Sequence, residues 1–347
     1  MDFFGIIFLS LLYMNIAIVG ATGNVGRKIL EVIEKLNFKF SELYLIASDK
    51  SVGKKISFKG KEYSVVGLAD FDFSQVKIAF FSAGSDIAEK WAPIAAKKTI
   101  VIDNSKYFRM NKEIPLIVPE VNPESLKLYK NRNIIANANC STIQLVLALK
   151  PLHDQFKVKR VVVSTYQSVS GAGKNHMTEL EEQSKKILDK KKVSSVNFTK
   201  QIAFNVIPHI DSFMEDGYTK EEWKMTVETK KILDPNIVLS ATCVRVPVFI
   251  GHSESVNIEF NSKVNANTIR KCLEKTPGCK VVDETKDGGY ITPVESSGDF
   301  VTYISRIRDD NTQKNSINMW IVSDNLLKGA ALNAVQIANL LIKKYIK

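Results

Sequence analysis

The chain has 347 residues, long enough for two hydrophobic cores rather than one. Its apolar fraction of 45% and charged fraction of 24% are those of an ordinary globular protein, and four scattered cysteines exclude a disulfide scaffold. The net charge of +11 rests on 40 Lys against 8 Arg, spread along the chain without interleaved aromatics, which argues against a nucleic-acid surface and for attraction of small anions.

Residues 1–13 are apolar but lack a basic flank and a cleavage site, and they are short for a membrane span. MNIAIVGATG reads as a natural start, so Met14 is expected to be the true first residue. An apolar strand at 15–19 ends in GATGNVG (Gly20, Gly23, Gly26), and a helical pattern follows through Val25, Ile29, Val32, Ile33 and Leu36. Strand, glycine turn and helix in that order make a dinucleotide cradle. One glycine permits the turn, one the approach of pyrophosphate, and one close helix–strand packing.

A second strand at 43–47 leads into SDKSVGKK, residues 48–55. Asp49 there suits a ribose 2′-hydroxyl, whereas Ser48, Lys50, Lys54 and Lys55 suit a 2′-phosphate, and the loop as a whole leans to NADP. Buried strands are expected at 76–81, before the small turn SAGSD, and at 99–102, before DNSKYFR, with a connecting helix at 91–96. Turns at the carboxyl ends of parallel strands are where a doubly wound sheet binds ligands. Segments 115–122 and 132–138 complete a Rossmann-type domain over 14–138.

NANCSTIQLVLALKPL, residues 137–152, sets Cys140 at the head of a helical pattern (Ile143, Leu145, Val146, Leu149) that Pro151 is expected to close. Ser141 and Thr142 are candidate caps. A sulfur at that end meets free backbone N–H groups that favour the thiolate, the nucleophilic form, although a lone cysteine also serves as a small core residue. Beyond it, 158–166 reads as a strand ending in STYQSVSGAGK, 176–188 and 221–233 as helices, and 243–260 as one or two strands about a loop. A mixed or antiparallel sheet with helices, an α+β domain over 139–324, is the expectation, followed by an amphipathic helix over 325–346. The four histidines form no HxxxH or HExxH pair, so no metal is expected.

GATGNVG, SKYFRMNKEIPLIVPEVN, NANCSTIQ, STYQSVSGAG, EEWKMTVETKKI, RVPVFIGHSES and DNLLKGAALNAVQIA, in that order, resemble the aspartate-β-semialdehyde dehydrogenase family from Met14 to the C-terminus. The resemblance implies a Rossmann domain, a catalytic domain that also forms the dimer, and a last helix returning to the first domain. It implies reduction of aspartyl-β-phosphate to aspartate-β-semialdehyde with NADPH and release of phosphate, on the route to lysine, diaminopimelate, threonine and methionine. Cys140 would be the nucleophile, His252 the acid/base, and Gln167 would orient the intermediate. Arg109 and Lys224 would hold phosphate, Arg245 the α-carboxylate and Glu221 the substrate ammonium.

Cofactor contacts are expected from Gly20, Thr22, Gly23, Asn24, Val25 and Gly26, from Ser48 and Lys50, from Ser82, Ala83 and Gly84, and from Ser170, Gly171 and Asn325. Lys50 stands where bacterial members often carry Arg, which keeps the charge and loses planar, bidentate geometry. A cytoplasmic homodimer or tetramer with a small-molecule substrate, and no nucleic-acid or membrane partner, is implied.

The residue types suit that chemistry. Turning an acyl phosphate into an aldehyde needs a nucleophile that leaves again, and a thiolate traps the acyl group as a thioester that accepts hydride. An imidazole shuttles protons near neutral pH, and the backbone N–H of Cys140 with Asn139 are candidate oxyanion donors. Two rival readings remain. N-acetyl-γ-glutamyl-phosphate reductase shares the glycine start, Cys and His but has no need of Glu221, and a dinucleotide-sensing module has no need of Cys140.

Overall fold

The computed structural model describes residues 14–346, and the expectation for residues 1–13 lies outside them. Two compact units emerge, one running to Ala138 and resuming at Ala330, the other Asn139–Gly329.

In the first unit the strands are β1 (Ile16–Val19), β2 (Leu43–Ala47), β3 (Lys55–Phe58), β4 (Lys61–Gly67), β5 (Ile78–Phe81), β6 (Ile100–Asp103), β7 (Leu116–Ile117) and β8 (Ile134–Asn137). They form one sheet in the order β3-β4-β2-β1-β5-β6-β8-β7, parallel except for the β3–β4 hairpin. This is a doubly wound, Rossmann-type sheet. β1, β5, β6 and β8 are buried at every position, as strands covered on both faces must be. The hairpin was not legible as alternation alone: its two-residue turn uses Lys59 and Gly60, both left-handed (φ 49° and 74°), where Asn-Gly is the usual signal.

Helix α1 (Asn24–Lys35) buries Ile29, Leu30, Val32 and Ile33, and α2 (Ser85–Ala95) begins six residues before the expected 91, directly after Gly84. The amphipathic helix expected over 325–346 is shorter. A π-helical turn, Leu327–Ala331, precedes the last described helix, α7 (Leu332–Lys344), which packs on α1 and β6 within the first unit. Asn333 ties it there, its Nδ2 donating to the Ile117 carbonyl (2.9 Å) and to Asn137 Oδ1 (2.6 Å).

The second unit holds α3 (Cys140–Phe156), β9 (Val158–Gln167), α4 (Lys174–Leu188), α5 (Lys220–Ile232), β10 (Val238–Arg245), β11 (His252–Phe260), α6 (Ala266–Glu274), β12 (Cys279–Val281), β13 (Thr302–Asp309) and β14 (Ser316–Ser323). The mixed sheet runs β10-β9-β11-β14-β13-β12, with β10–β9 and β12–β13 parallel and the rest antiparallel. α3 lies across one face. Its Leu145, Ala148, Leu149, Leu152 and Phe156 pack with Val163, Val256, Met319 and Ile321 of the sheet and with Ile269 and Leu273 of α6.

That burial overrides two local expectations. Pro151 does not close the helix, which continues to Phe156 and ends at Lys157 in the left-handed conformation (φ 59°). Proline costs roughly 3 kcal/mol inside a helix, an amount that burying Leu152 and Phe156 beyond it offsets. Nor do Ser141 and Thr142 cap the start: both are fully buried, and Asn139 is the cap.

Gly20 and Gly26 bring backbone against backbone at the start of α1. Gly20 is left-handed (φ 86°), and a Cβ on Gly26 would sit 2.3 Å from the Gly20 carbonyl oxygen, a backbone atom held by β1. Gly26→Ala is therefore expected to lower stability by roughly 1–3 kcal/mol. Chemical unfolding measures it, and a native-like midpoint would mean that α1 can move off β1.

Candidate active site

In the first unit the carboxyl ends of β1, β2 and β5 lie side by side where the strand order reverses, with β2 on one side of β1 and β5 on the other. Three expected cofactor segments sit at those ends: Gly20–Gly26 after β1, Ser48 and Lys50 after β2, and Ser82, Ala83 and Gly84 after β5. Gly20 N–H donates to the Ile46 carbonyl and Ser82 N–H to the Val19 carbonyl, so the turns are stitched to neighbouring strands. The cap of α1 is Gly23, with no side-chain cap hydrogen bond, which leaves room for a phosphate against the helix end. Gly20 likewise admits no Cβ beside the Ser82 backbone. These residues fit a dinucleotide. Ser48, Asp49 and Lys50 are all exposed, within one short 3₁₀ turn and its cap. Thr22, Asn24 and Val25 lie at the head of α1. Arg109 is buried in this unit, its Nε donating to the Asn137 carbonyl (2.9 Å) and Nη2 to the Asn104 carbonyl (3.2 Å).

The second unit gathers the other expected residues. Cys140 is the first residue of α3 and half-buried. Asn139 Oδ1 accepts the N–H groups of Ser141 (3.0 Å) and Thr142 (3.3 Å), while its Nδ2 donates to Glu221 Oε1 (2.9 Å) and its backbone N–H to Glu228 Oε2 (2.7 Å). Gln167 Nε2 also donates to Glu221 Oε1 (3.3 Å) and to Thr165 Oγ1 (3.3 Å). Glu221 Oε2 meets Lys224 Nζ at 2.5 Å. One turn later on the same helix face comes Glu228, which sequence reasoning missed. The spacing 221, 224, 228 was the signal available for it.

Strand register builds the rest. Arg245 lies opposite Gln167, and His252 opposite Ser323. Two residues deeper on that face come Cys243, Thr165, Glu254 and Ile321, and two deeper again Ala241, Val163, Val256 and Met319. The face is apolar core for most of its length and polar only at the end beside Cys140.

His252 is fully buried. Ser168 N–H donates to its Nδ1 (3.1 Å), so Nδ1 carries a lone pair and the ring proton of the neutral form is on Nε2. Nε2 finds no hydrogen-bond partner among the described residues and faces Gly171, where an added Cβ would lie 3.1 Å from it and 3.3 Å from Arg245 Nη1. Asn325 braces the same corner: its Oδ1 accepts from Ser168 Oγ (3.0 Å) and from Gly251 N–H (2.9 Å), and its Nδ2 donates to Ser170 Oγ (3.0 Å). Ser170, Gly171 and Asn325, expected as cofactor contacts, thus surround the imidazole. Ser168 had no separate signal in sequence. Gly329 packs close against Cys140, since a Cβ there would be 2.8 Å from Cys140 Cβ.

Burial pushes the Glu221 pKa up, but the Lys224 charge and hydrogen bond, the Asn139 amide and Arg245 outweigh it and bring it to about 2. Burial and the nearby Arg245 guanidinium lower His252 to about 3, against the opposing pull of Glu221, so the imidazole is neutral at physiological pH. Burial lowers Arg245 as well, with Glu221 and Cys140 countering. Burial drives the Glu254 carboxyl well above its ordinary value, with Gln144 pulling the other way. The second unit thus brings together the half-buried Cys140 thiol, a neutral imidazole with Nε2–H as donor, and a carboxylate held by two amides and an ammonium. Among the described residues no His, Cys, Asp and Glu cluster suits a metal ion.

Two family models match the chain: the semialdehyde dehydrogenase NAD binding domain over residues 15–129 and the semialdehyde dehydrogenase dimerisation domain over 149–328. The chain is 51% identical over 334 residues to an aspartate-semialdehyde dehydrogenase of Rickettsia bellii, covering 96% of this chain and 98% of that protein. It is 51% identical over 334 residues to the one of Aquifex aeolicus, covering 95% and 98%. The crystal structure of aspartate semialdehyde dehydrogenase II from Vibrio cholerae complexed with ASA is similar to it with a TM-score of 0.94 at 48% identity, covering 96% of this chain and 99% of that one.

The buried imidazole has a consequence for stability. The folded pKa of His252 is about 3 against 6.5 for the free group, so as pH falls below 6.5 the unfolded chain takes up a proton that the native state refuses. Its contribution is full above pH 6.5 and is lost progressively as pH falls toward 3, whereas Glu221 adds in the same sense only below 4.5. His252→Asn keeps an acceptor for Ser168 and removes this titration. From pH 6.5 to 4.5 the wild type should lose about 1 kcal/mol per pH unit more than the variant in urea unfolding. Parallel pH profiles would mean that the imidazole is charged in the folded protein.

Proposed function

The chain belongs to the aspartate-semialdehyde dehydrogenase family, and we propose on that footing that it reduces L-aspartyl-4-phosphate to L-aspartate-4-semialdehyde with release of phosphate, using NADPH and a thioester on Cys140. The observation that carries this reading is the Asn139 side chain, which caps the nucleophile's helix and in the same stroke holds Glu221. The reacting sulfur and the charges suited to the substrate therefore share one geometry.

The Cys140 thiolate attacks the acyl carbon. A C–S bond forms, the bond from that carbon to the phosphate oxygen breaks, and phosphate leaves with the electron pair. Gly20–Gly26, Ser48, Lys50 and Ser82–Gly84 would hold the dinucleotide, which supplies a hydride when bound. Charge then develops on the former carbonyl oxygen, and the neutral His252 Nε2–H is a donor for it without carrying a charge of its own. Collapse of that oxyanion restores the C=O bond, breaks C–S and returns the thiolate. Arg245 offers paired donors to the α-carboxylate, Glu221 a fixed negative charge to the ammonium, Lys224 and Arg109 cations to the phosphate, and Gln167 would orient the intermediate.

The exposed Ser48 and Lys50 support a 2′-phosphate and hence NADP, with Asp49 the residue that would favour NAD. Lysine, diaminopimelate, threonine and methionine synthesis in the cytoplasm is the setting that this reaction serves. Among the described residues no helix is long and apolar enough to cross a membrane. A homodimer is supported by the outer face of the second sheet, where Tyr166 is 37% exposed and its ring lies 5.5 Å from that of Trp320.

The deciding assay is phosphate-dependent reduction of NADP by aspartate semialdehyde, run beside NAD and beside N-acetylglutamate semialdehyde. Activity only with the acetylated substrate, or none without a different acceptor, would end this reading, and equal kcat/KM for NAD and NADP at low salt would end its cofactor part. Cys140→Ser should keep the fold and NADP binding but retain less than about a tenth of the turnover, since a serine hydroxyl is not ionised at a helix end.

The substrate anchors should separate in the same assay. Arg245→Ala should raise KM for the semialdehyde roughly ten- to hundredfold, and Arg245→Lys should not rescue it, because an ammonium lacks the paired donors. Arg109→Ala should raise KM for phosphate instead. The opposite pattern would reverse the two assignments.

A further inference from the structure

Lys224 has a second carboxylate on it that the reaction as described does not use. Its Nζ lies 3.1 Å from Asp211 Oδ2 as well as 2.5 Å from Glu221 Oε2. Asp211 comes from the irregular stretch before α5, and its backbone is left-handed (φ 68°), a conformation that costs a residue with a Cβ roughly 1 kcal/mol. The stretch is pinned on both sides of it. Ile207 exchanges two backbone hydrogen bonds with Arg245 (2.9 and 2.8 Å), Ile210 is buried in the core, and Lys220 N–H donates to the Ser212 carbonyl (2.9 Å). Asp211 Oδ1 accepts from Ser212 N–H (2.9 Å), which aims Oδ2 at the ammonium.

The two partners of Lys224 differ in what holds them. Glu221 is almost wholly buried and bound by Asn139, Gln167 and Lys224. Asp211 is more open, with its side chain 22% exposed, and makes the longer contact. An anion arriving at Lys224 displaces the weaker of the two first. We propose that Asp211 is an internal stand-in for phosphate: it holds the Lys224 ammonium in place while the site is empty and gives that position up to a phosphate dianion. The proposal rests on the reading of Lys224 as a phosphate ligand. Its function is twofold. The ammonium stays aimed rather than folding back on Glu221 alone, and the carboxylate weakens the grip on phosphate, so that the leaving group departs once the thioester has formed.

The test is kinetic, in the reverse direction, with inorganic phosphate varied against NADP and aspartate semialdehyde. Asp211→Asn suits the left-handed backbone and removes the competing charge, so KM for phosphate should fall roughly three- to tenfold while KM for the semialdehyde stays within about twofold. Asp211→Gly, which also suits that backbone and removes the carboxylate whole, should move it the same way. Lys224→Met should raise KM for phosphate, and adding Asp211→Asn to it should no longer lower that KM. An unchanged or raised phosphate KM in both Asp211 variants, with the Lys224→Met effect intact, overturns the stand-in and leaves Asp211 a structural ion pair. An unchanged phosphate KM in Lys224→Met overturns the phosphate reading of Lys224, and the proposal with it.

Discussion

Asn139 makes four hydrogen bonds in three directions, and the catalytic unit depends on them. Its Oδ1 satisfies two N–H groups at the start of α3, its Nδ2 binds Glu221, and its own N–H is bound by Glu228. A helix end otherwise leaves four N–H groups unsatisfied, and here the cap settles two of them with Cys140, half-buried, as the first helical residue. The consequence is mechanical. α3 cannot turn about its axis without moving Glu221, and Glu221 cannot move without Lys224.

Buried charge is expensive, and this site holds several. Glu221 stays ionised because three donors converge on it, two amides and one ammonium. His252, lacking any carboxylate in contact, is neutral. Glu254, two residues behind it on the strand, has no partner that meets hydrogen-bond geometry among the described residues, and burial pushes its carboxyl well up. The two buried glutamates are thus shifted in opposite directions, and the difference lies in the donors each meets rather than in depth of burial.

The apolar rows beneath explain why so polar a cluster is tolerated. Each strand contributes one polar residue to the outermost row, Arg245, Gln167, His252 and Ser323; Thr165 and Glu254 are still polar two residues further in, and the row four residues in, Ala241, Val163, Val256 and Met319, is wholly apolar. The α3 helix follows the same gradient, from Asn139 and Cys140 at its head to Leu149, Leu152 and Phe156 at its foot. Rigid core at one end holds reactive groups at the other.

Much was legible along the chain because it is written in local pattern. The β1 strand, the glycine turn and α1 follow from apolar spacing and from glycines that no side chain can replace, and the Cys140 position follows from the onset of a helical period. The family motifs marked Gln167, Glu221, Lys224, Arg245 and His252 without saying how they meet. Tertiary structure decided the rest. Pro151 stays inside a helix because the residues beyond it are core, Asn139 rather than Ser141 is the cap because its backbone is extended and its side chain accepts the N–H groups of Ser141 and Thr142, and α7 begins at Leu332 because a π-helical turn takes the preceding residues. Asp211 and Ser168 carry no signal in their own neighbourhoods, and the helical spacing of Glu228 from Glu221 and Lys224 does not name its partner. Their roles arise from partners 13, 84 and 89 positions away in the chain, and a sequence pattern reports only neighbours within a helical turn or a strand step.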